Sequence, residues 1–182
     1  MELKEKKISS EEIYKGKIID VYKDKVLCPN GKTSYREYIK HCRASCVLAK
    51  LPNGKFLLEK QYRYPYDEVI FEFPAGKCDK GEDPKLTAIR ELEEETGYLA
   101  NKITYIGQIY PTCAYTDEII YLYYAEDLVK THQHLDENEA VEVLEVTLDE
   151  IKELLNNGSL KDAKSVAAIC YLFSKGVIRW LY

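Results

Sequence analysis

In the first half of the chain, apolar and polar residues alternate with the two-residue period expected of β-strands that bury one face. This pattern, which is rich in β-branched and aromatic residues, predicts strands over residues 14–25, 35–40, 46–50, 55–61 and 69–73. The turn-forming sequences Pro29-Asn30-Gly31 and Pro52-Asn53-Gly54 separate neighbouring strands. The amino-terminal half is therefore predicted to consist mainly of antiparallel hairpins.

A helical period of apolar residues first appears near residue 84. Asp83 is a typical helix cap, Pro84 suits the first helical position, and apolar residues recur at helical spacing from Leu86 to Leu92. Gly97 suits the end of this helix. Further strands are predicted over residues 103–110, 119–125 and 141–147, and two helices over residues 148–156 and 161–174. Mixed strands with few, late helices predict an α+β domain.

Composition narrows the possible classes of protein. The 182 residues fit one domain with a small extension, and the net charge of −5 argues against a nucleic-acid partner. No membrane span is expected, because the most apolar stretch, residues 165–182, is interrupted by Lys175 and Arg179. The six cysteines match neither a CxxC pair nor a disulfide framework. We therefore expect reduced, mostly buried thiols in a cytoplasmic protein.

The predicted helix after Asp83 carries a dense set of carboxylates. Glu91 and Glu95 lie one turn apart, and Glu94 lies at the edge of the same arc. Like charges at this spacing repel each other, although Arg90 can pair with Glu94. One interpretation is a solvated acidic helix face. The other is a site for a hard divalent cation, which takes oxygen ligands and leaves positions for water and phosphate.

The whole segment 76–98, GKCDKGEDPKLTAIRELEEETGY, resembles the Nudix box of the Nudix hydrolase superfamily. That box runs glycine, five residues, glutamate, seven residues, then Arg-Glu-apolar-any-Glu-Glu-any-Gly-apolar. Every fixed position is met, with an aromatic residue only at the last, where an aliphatic one is usual: Gly76, Glu82, Arg90, Glu91, Leu92, Glu94, Glu95, Gly97 and Tyr98. So many matches at fixed spacing favour the cation site over the solvated face.

The resemblance implies a set of metal ligands. In the family, this segment is a loop–helix–loop that holds a divalent metal against a pyrophosphate. By this resemblance, Glu91 and Glu95 are the principal ligands of Mg²⁺, for which Mn²⁺ can substitute. Glu94 is expected to be an additional or bridging ligand with a catalytic role, and the carbonyl of Ala75 is expected to complete the site.

The same resemblance assigns supporting roles within the box. Arg90 is expected to orient the glutamates and so to contribute to catalysis. Glu82 is expected to brace the loop, while Gly76 and Gly97 are expected to be structural.

Outside the box, the chain is similar to the ADP-ribose pyrophosphatase group. The sequence FEFPAG, residues 71–76, resembles the strand that enters the box in that group. The sequence EKQYRYP, residues 59–65, resembles an upstream strand in which an arginine, here Arg63, contacts the substrate. The alternative for Arg63 is an ordinary surface arginine at a strand end.

The resemblance also implies a fold and an assembly. The expected fold is a Nudix-type α/β/α sandwich over residues 43–182, with an amino-terminal β extension over residues 1–42. The sequence YREYIKH, residues 35–41, resembles the amino-terminal subdomain of the group, in which an arginine, here Arg36, lies near the nucleobase. That subdomain exchanges contacts in a homodimer, so Arg36 and Glu72 are expected to serve a shared substrate pocket.

The catalytic base is expected outside the box. The sequence LDENEAVEV, residues 135–143, resembles an acidic loop that supplies the base in the ADP-ribose group. Glu137 is then the candidate base, and Glu139 is a further metal ligand or an alternative base. The alternative interpretation is a plain exposed acidic loop.

One departure bears on the substrate. The group often has Ser-Pro-Gly before Asp-Glu, whereas residues 110–118 read YPTCAYTDE, with Cys113 and Ala114 in place of the proline and glycine. Cys113 is expected to be a packed thiol.

The expected reaction is hydrolysis of a nucleoside diphosphate linked to a sugar, with ADP-ribose yielding AMP and ribose 5-phosphate. GDP-mannose or another nucleotide sugar is the alternative substrate, and a non-catalytic ADP-ribose sensor is the alternative class.

Overall fold

A computed structural model describes residues 2–179 of the chain. Met1 and residues 180–182, which end the apolar carboxyl-terminal stretch, lie outside the described residues. The chain divides into a smaller unit, which extends to Cys42 and includes Tyr110–Ile119, and a larger unit, which contains Arg43–Ile109 and the chain from Ile120 onwards. Among the described helices, none combines the length and the apolar character needed to cross a membrane.

The smaller unit contains a three-stranded antiparallel sheet. Its strands, in spatial order, are β1 (Lys6–Lys15), β2 (Asp20–Leu27) and β3 (Thr33–Lys40). The prediction of one strand over residues 14–25 is wrong, because the chain turns between β1 and β2, where the Gly16 N–H donates to the Ile19 carbonyl over 2.9 Å. Every residue of β1 is exposed, so this strand lacks the apolar alternation by which a strand is predicted.

The larger unit contains two sheets. One has the order β7-β4-β9-β8 and the other the order β10-β5-β6. The strands are β4 (Ala44–Ala49), β5 (Phe56–Arg63), β6 (Glu68–Glu72), β7 (Ala75–Lys77), β8 (Tyr98–Ile109), β9 (Ile120–Lys130) and β10 (Val141–Val146). β4 and β9 pair in parallel, and the other pairs are antiparallel. The sequence missed β7, whose three residues are too few to show a period.

The three helices are α1 (Pro84–Thr96), α2 (Leu148–Asn156) and α3 (Ala163–Ser174). The predicted start and end of α1 are confirmed: the Asp83 side chain accepts a hydrogen bond from the Lys85 N–H over 2.9 Å, and Gly97 adopts the left-handed conformation with φ 71°. α3 begins two residues later than predicted because Asp162, which accepts from the Ser165 N–H, is its cap rather than part of it.

Alternate residues of β4 contribute to two separate cores. Cys46 and Leu48 pack in a cluster with residues of α2 and α3, whereas Val47 and Ala49 pack in a cluster with residues of α1. All six residues of this strand are buried, as expected of a strand covered on both faces. The larger unit is thus a sandwich of helix, sheet and helix, and the predicted α+β Nudix-type architecture is confirmed for it.

The cysteines differ from the prediction in their burial. All six are free thiols, but Cys46 is the buried one, while Cys113 and Cys170 are exposed. The expectation of mostly buried thiols, and of a packed Cys113, is therefore wrong. Cys113 lies in the turn region 110–119, and Cys170 lies on the outer side of α3.

Candidate active site

α1 places its glutamates at different depths. Leu92 is fully buried on the apolar side of the helix, and Glu95 is only 3% exposed. The side chain of Glu91 is 14% exposed, whereas that of Glu94 is 40% exposed. A solvated acidic face would keep its carboxylates in water, so the burial of Glu95 and Glu91 argues against that interpretation.

Arg90 contacts several carboxylates of the box. Its Nη1 donates to Glu91 Oε1 over 2.8 Å and to Glu94 Oε2 over 2.9 Å. Its Nε donates to Glu82 Oε1 over 3.2 Å, and its Nη2 donates to the Lys77 carbonyl over 3.2 Å. These are the contacts that an orienting role for Arg90 requires.

Glu82 connects the loop before α1 to the helix. It accepts hydrogen bonds from the Asp79 N–H over 2.9 Å and from Thr87 Oγ1 over 2.7 Å, in addition to those from Arg90. The Arg90 hydrogen bond is the main cause that lowers the pKa of Glu82 to about 2. Ionised Glu82 therefore fixes the loop against the first turns of α1.

The backbone of β7 is packed directly against these carboxylates. A Cβ atom at Gly76 would lie 1.9 Å from Cδ of Glu91, so only glycine leaves room for this carboxyl group. At the neighbouring position, the Ala75 N–H donates to Glu95 Oε2 over 2.9 Å. The two glutamates predicted as principal ligands thus both meet the strand that contains Ala75.

The carboxyl end of α1 is bonded to the segment 131–134. The Gly97 carbonyl accepts from the Thr131 N–H over 2.7 Å, and the Glu94 carbonyl accepts from the His134 N–H over 2.8 Å. Gln133 Nε2 donates to the Glu95 carbonyl over 2.6 Å. A Cβ at Gly97 would lie 2.9 Å from the Gln133 nitrogen, so glycine is required here both for its positive φ and for this close approach.

Burial and repulsion change the acidity of Glu91. Burial raises the pKa of Glu91 to about 7, and the nearby Glu94 and Glu139 carboxylates also raise it, although Arg90 opposes them. Glu139 comes from the predicted acidic loop, so this loop approaches the box glutamates.

Glu95 is in a similar environment. Burial is the main cause that raises the pKa of Glu95, and repulsion from Glu59, Glu91 and Glu139 adds to it. Burial likewise raises the pKa of Glu59, which lies on β5 and also interacts with Glu139. We refer to five side chains as the carboxylate cluster: Glu59, Glu91, Glu94, Glu95 and Glu139.

The cluster suits a divalent cation by its chemistry, since hard cations such as Mg²⁺ and Mn²⁺ prefer carboxylate oxygens. A cation would also relieve the repulsion that raises these pKa values. As the side chains stand, no three His, Cys, Asp or Glu groups within residues 2–179 form a ready metal-binding set. Arg90 already holds one oxygen each of Glu91 and Glu94, so a cation would compete with Arg90 for them.

The two candidate bases are placed differently. Gln61 Nε2 on β5 donates to Glu139 Oε1 over 3.2 Å, and Glu139 acts electrostatically on both Glu91 and Glu95. Glu137 is exposed, and no contact between it and the cluster is found among the described residues. The structure therefore brings Glu139, but not Glu137, to the carboxylate cluster.

Arg63 belongs to a second group of charged side chains, which we call the strand network: Arg63, Glu72, Asp162 and Lys164. Arg63 donates to both oxygens of Glu72, over 2.8 Å from Nε and 2.7 Å from Nη2. Lys164 Nζ bonds to the same carboxylate and lies 3.1 Å from Asp162 Oδ2. Glu72 is 2% exposed, so it supports Arg63 from inside the protein.

Neither Glu59 nor Lys164 is among the site residues predicted from the sequence. Lys164 had one usable signal, because it lies four residues before the fully buried Ala168 and so on an apolar side of α3. A lysine at such a position needs a buried partner. Nothing in the sequence indicates that Glu59 is buried, because a glutamate on a strand is usually exposed and the residues that follow it, Lys60 to Arg63, are mostly polar.

Arg36 lies in the smaller unit. Its Nε donates to Glu5 Oε2 over 2.9 Å, its Nη2 bonds to Glu5 Oε1, and its side chain is 47% exposed. The expectation that Arg36 and Glu72 serve one substrate pocket in a homodimer stays a prediction.

Comparison with known families gives two matches. Residues 40–169 match the family described as NUDIX domain, and residues 5–39 match the family described as Nucleoside diphosphate sugar hydrolase N-terminal domain. Together the two matches extend over the chain from residue 5 to residue 169.

Three characterised proteins are similar over most of their length. An ADP-ribose pyrophosphatase of Bacillus subtilis is 46% identical over 179 residues, which is 97% of each chain. A methanol dehydrogenase activator of Bacillus methanolicus is 42% identical over 170 residues, which is 92% of each chain. A GDP-mannose pyrophosphatase of Yersinia enterocolitica is 30% identical over 145 residues, which is 75% of each chain.

A solved structure is also similar. The crystal structure of an ADP compounds hydrolase superposes with a TM-score of 0.86 at 21% identity, covering 98% of this chain and 100% of the other. At this identity the likeness concerns the fold.

Proposed function

The chain belongs to the Nudix family, and from that premise we propose that it hydrolyses the pyrophosphate bond of a nucleoside diphosphate linked to a sugar. ADP-ribose is the leading substrate, with AMP and ribose 5-phosphate as products. The observation that carries this proposal is the carboxylate cluster formed by a complete Nudix box together with Glu139. The similarity to an ADP-ribose pyrophosphatase over 97% of both chains supports the choice of substrate.

We propose Mg²⁺ as the cation, with Mn²⁺ as a substitute. Glu91 and Glu95 would hold it, with Glu94 as an additional ligand and the Ala75 carbonyl completing the site. When bound, such an ion neutralises the charge of a diphosphate and acidifies the water that attacks it. The protein's own contribution is to hold the carboxylates in place, through Arg90 on one side and the β7 backbone on the other.

Glu139 is the preferred base, because it approaches the cluster and Gln61 fixes its orientation. An ionised carboxylate at this position can accept the proton that the attacking water loses. Arg63, held by Glu72 with two hydrogen bonds, keeps its remaining Nη1 for an anionic group of the substrate.

The substrate proposal is tested by incubating the full chain and Mg²⁺ with ADP-ribose and, in parallel, with GDP-mannose. We expect release of AMP and a higher kcat/KM for ADP-ribose. GDP-mannose is the second candidate, supported by the Yersinia relative and by Cys113 and Ala114 at the positions where the ADP-ribose group often has proline and glycine. A higher kcat/KM for GDP-mannose would reverse the order. Lack of activity on every nucleoside diphosphate sugar would refute the class.

The choice of base is tested with Glu139→Gln and with Glu137→Gln as the matched control in the same loop. Loss of a positioned base lowers kcat by about a hundredfold to ten-thousandfold. We expect this loss in Glu139→Gln and near-parent turnover in Glu137→Gln. The reverse result would assign the base to Glu137.

A regulatory role is the alternative of another class, and the methanol dehydrogenase activator among the relatives gives it some support. The chain retains every glutamate of the box, which an enzyme needs and a sensor can lose. A sensor would keep its ligand-dependent effect in a Glu95→Gln variant, whereas an enzyme would lose turnover.

We also propose that residues 1–42 form a dimerisation extension to a Nudix domain of residues 43–182, and that the protein is a cytoplasmic homodimer. Supporting observations are the separate family match over residues 5–39, the exposed apolar side chains of Ile8 and Ile13 on β1, and six free thiols. Sedimentation equilibrium of the full chain should give the mass of two copies. A monomer at micromolar concentration would contradict the assembly.

A further inference from the structure

Glu59 is a buried carboxylate with one oxygen that is bonded to no group of the described residues. The residue is 2% exposed, and its Oε1 has no hydrogen-bond partner within residues 2–179. A buried carboxyl oxygen without a partner is costly whether the group is ionised or protonated, because a protonated group also needs an acceptor for its O–H. The missing partner of Glu59 Oε1 is therefore something other than the described residues.

The position of Glu59 on β5 directs it to the carboxylate cluster. Leu57, two residues earlier on the same face of the strand, packs in the core cluster that contains Ala88 and Leu92 of α1. Gln61, two residues later, donates to Glu139. Glu59 lies between these two positions, so it faces the same space as α1 and the acidic loop.

The charges around Glu59 favour a cation as the missing partner. Arg63 and Lys164 are both bonded to Glu72, which lies directly opposite Glu59 in the β5–β6 pairing. Among the described residues, neither Glu59 nor Glu95 forms an ion pair with a lysine or arginine. Lys164 and Arg63 also attract Glu59 at longer range, but both are bonded to Glu72. Two buried carboxylates that repel each other and form no ion pair of their own are a natural position for a divalent ion.

We propose that Glu59 is a further carboxylate ligand of the divalent cation and that it completes, with Glu95, the buried side of the site. This inference rests on the proposed function, since it extends the same cation site. The ligand class is a hard divalent cation of the Mg²⁺ and Mn²⁺ type, bound through oxygen alone.

The test measures binding of Mn²⁺ itself to the full chain, by isothermal titration calorimetry and by the electron paramagnetic resonance signal of free Mn²⁺. Glu59→Gln removes the charge and keeps the shape, while Glu59→Val suits a buried strand position. Glu142→Gln is the matched control, because Glu142 lies on β10 next to β5 but is 63% exposed and pairs with Lys60.

We expect Glu59→Gln and Glu59→Val to bind Mn²⁺ at least tenfold more weakly than the parent, and Glu142→Gln to bind as the parent does. Without Mn²⁺, both Glu59 variants should melt at the same temperature as the parent or higher, because an unpaired buried carboxylate has been removed. Their stabilisation by Mn²⁺ should be smaller than that of the parent.

Two results would overturn the proposal. Parent-like Mn²⁺ binding by Glu59→Gln would assign the missing partner to water or a proton. A metal-free variant that is clearly less stable than the parent, or that fails to fold, would show that Glu59 has a partner within the chain. If the parent itself binds no Mn²⁺, the proposed function fails as well, so the two failures are distinguishable.

Discussion

The Nudix box and the strand network are two groups of ion pairs in the same unit that are assembled in different ways. In the box, Arg90 bonds to side chains one, four and eight positions away in the sequence. In the strand network, Glu72 bonds to Arg63 nine positions away and to Lys164 92 positions away. Sequence spacing therefore reveals the first group, whereas only the folded chain reveals the second.

The two groups also differ in their exposure to water. The two arginines are similarly exposed, Arg90 at 33% and Arg63 at 38%, but Glu72 and Lys164 of the strand network are only 2% and 11% exposed. A partly exposed network can exchange partners with an incoming cation or phosphate. A buried network instead loses much stability when one member is removed, because the remaining charge cannot return to water. We therefore expect changes at the box glutamates to affect turnover and changes at the buried Glu72 and Lys164 to affect stability.

The largest effect is expected from Glu95→Gln in the box. Removing this proposed ligand should lower kcat by about a thousandfold, since a bound cation contributes several kcal/mol to the stabilisation of the transition state. The unfolding midpoint in urea should not fall, because a buried and repelled carboxylate is neutralised. The matched control is Glu93→Gln on the same helix, which should keep parent-like turnover. Near-parent turnover of Glu95→Gln would show that the box and the strand network do not differ in their effect on catalysis.

Lys164→Met should lower the stability of the fold rather than kcat. Glu72 would keep Arg63 but lose its buried second partner, which should lower the free energy of unfolding by about 3 kcal/mol. Urea denaturation measures this loss. Lys161→Met is the control, because its pair with Glu68 is about half exposed and should contribute less than about 1 kcal/mol. Equal losses in both variants would show that burial does not distinguish the two pairs.

Gly76→Ala separates turnover from stability within the box. The new Cβ would displace the flexible carboxyl end of Glu91, so kcat should fall by about one to two orders of magnitude while the melting temperature changes little. Gly54→Ala is the control: its φ of 86° disfavours alanine, but nothing lies within 4 Å of the new Cβ. This variant should lose about 1 kcal/mol of stability and keep its turnover.

The smallest effect is expected from the pH dependence of Glu82. Its pKa of about 2 lies below the ordinary value of 4.5, so the folded state binds fewer protons than the unfolded state in this range. The stabilisation is present above about pH 4.5 and is lost as the pH falls toward 2. Between pH 5 and pH 3, the urea midpoint of the parent should therefore fall more steeply than that of Glu82→Gln. Parallel curves would contradict this assignment.

Prediction from sequence succeeded where the signal is local. The cap at Asp83, the stop at Gly97 and the spacing of the box follow from interactions within a few residues. It failed at the turn between β1 and β2, because β1 is exposed on both faces and has no apolar alternation. It also missed Glu59 and Lys164, because their charged neighbours come close only through the pairing of β5 with β6 and the packing of α3.

The bonds between the end of α1 and the segment 131–134 have a consequence for how the acidic loop tolerates change. The loop is fixed at its start by the helix carbonyls and at its end by the pairing of β10 with β5, which begins at Val141. Only residues 135–138 span the interval before Glu139. Insertions or deletions in that short span should therefore alter the rim of the site, and so the choice among nucleotide sugars, without relocating Glu139, the base that we propose. A library of variants confined to residues 135–138 should therefore change substrate specificity while the reaction itself stays the same.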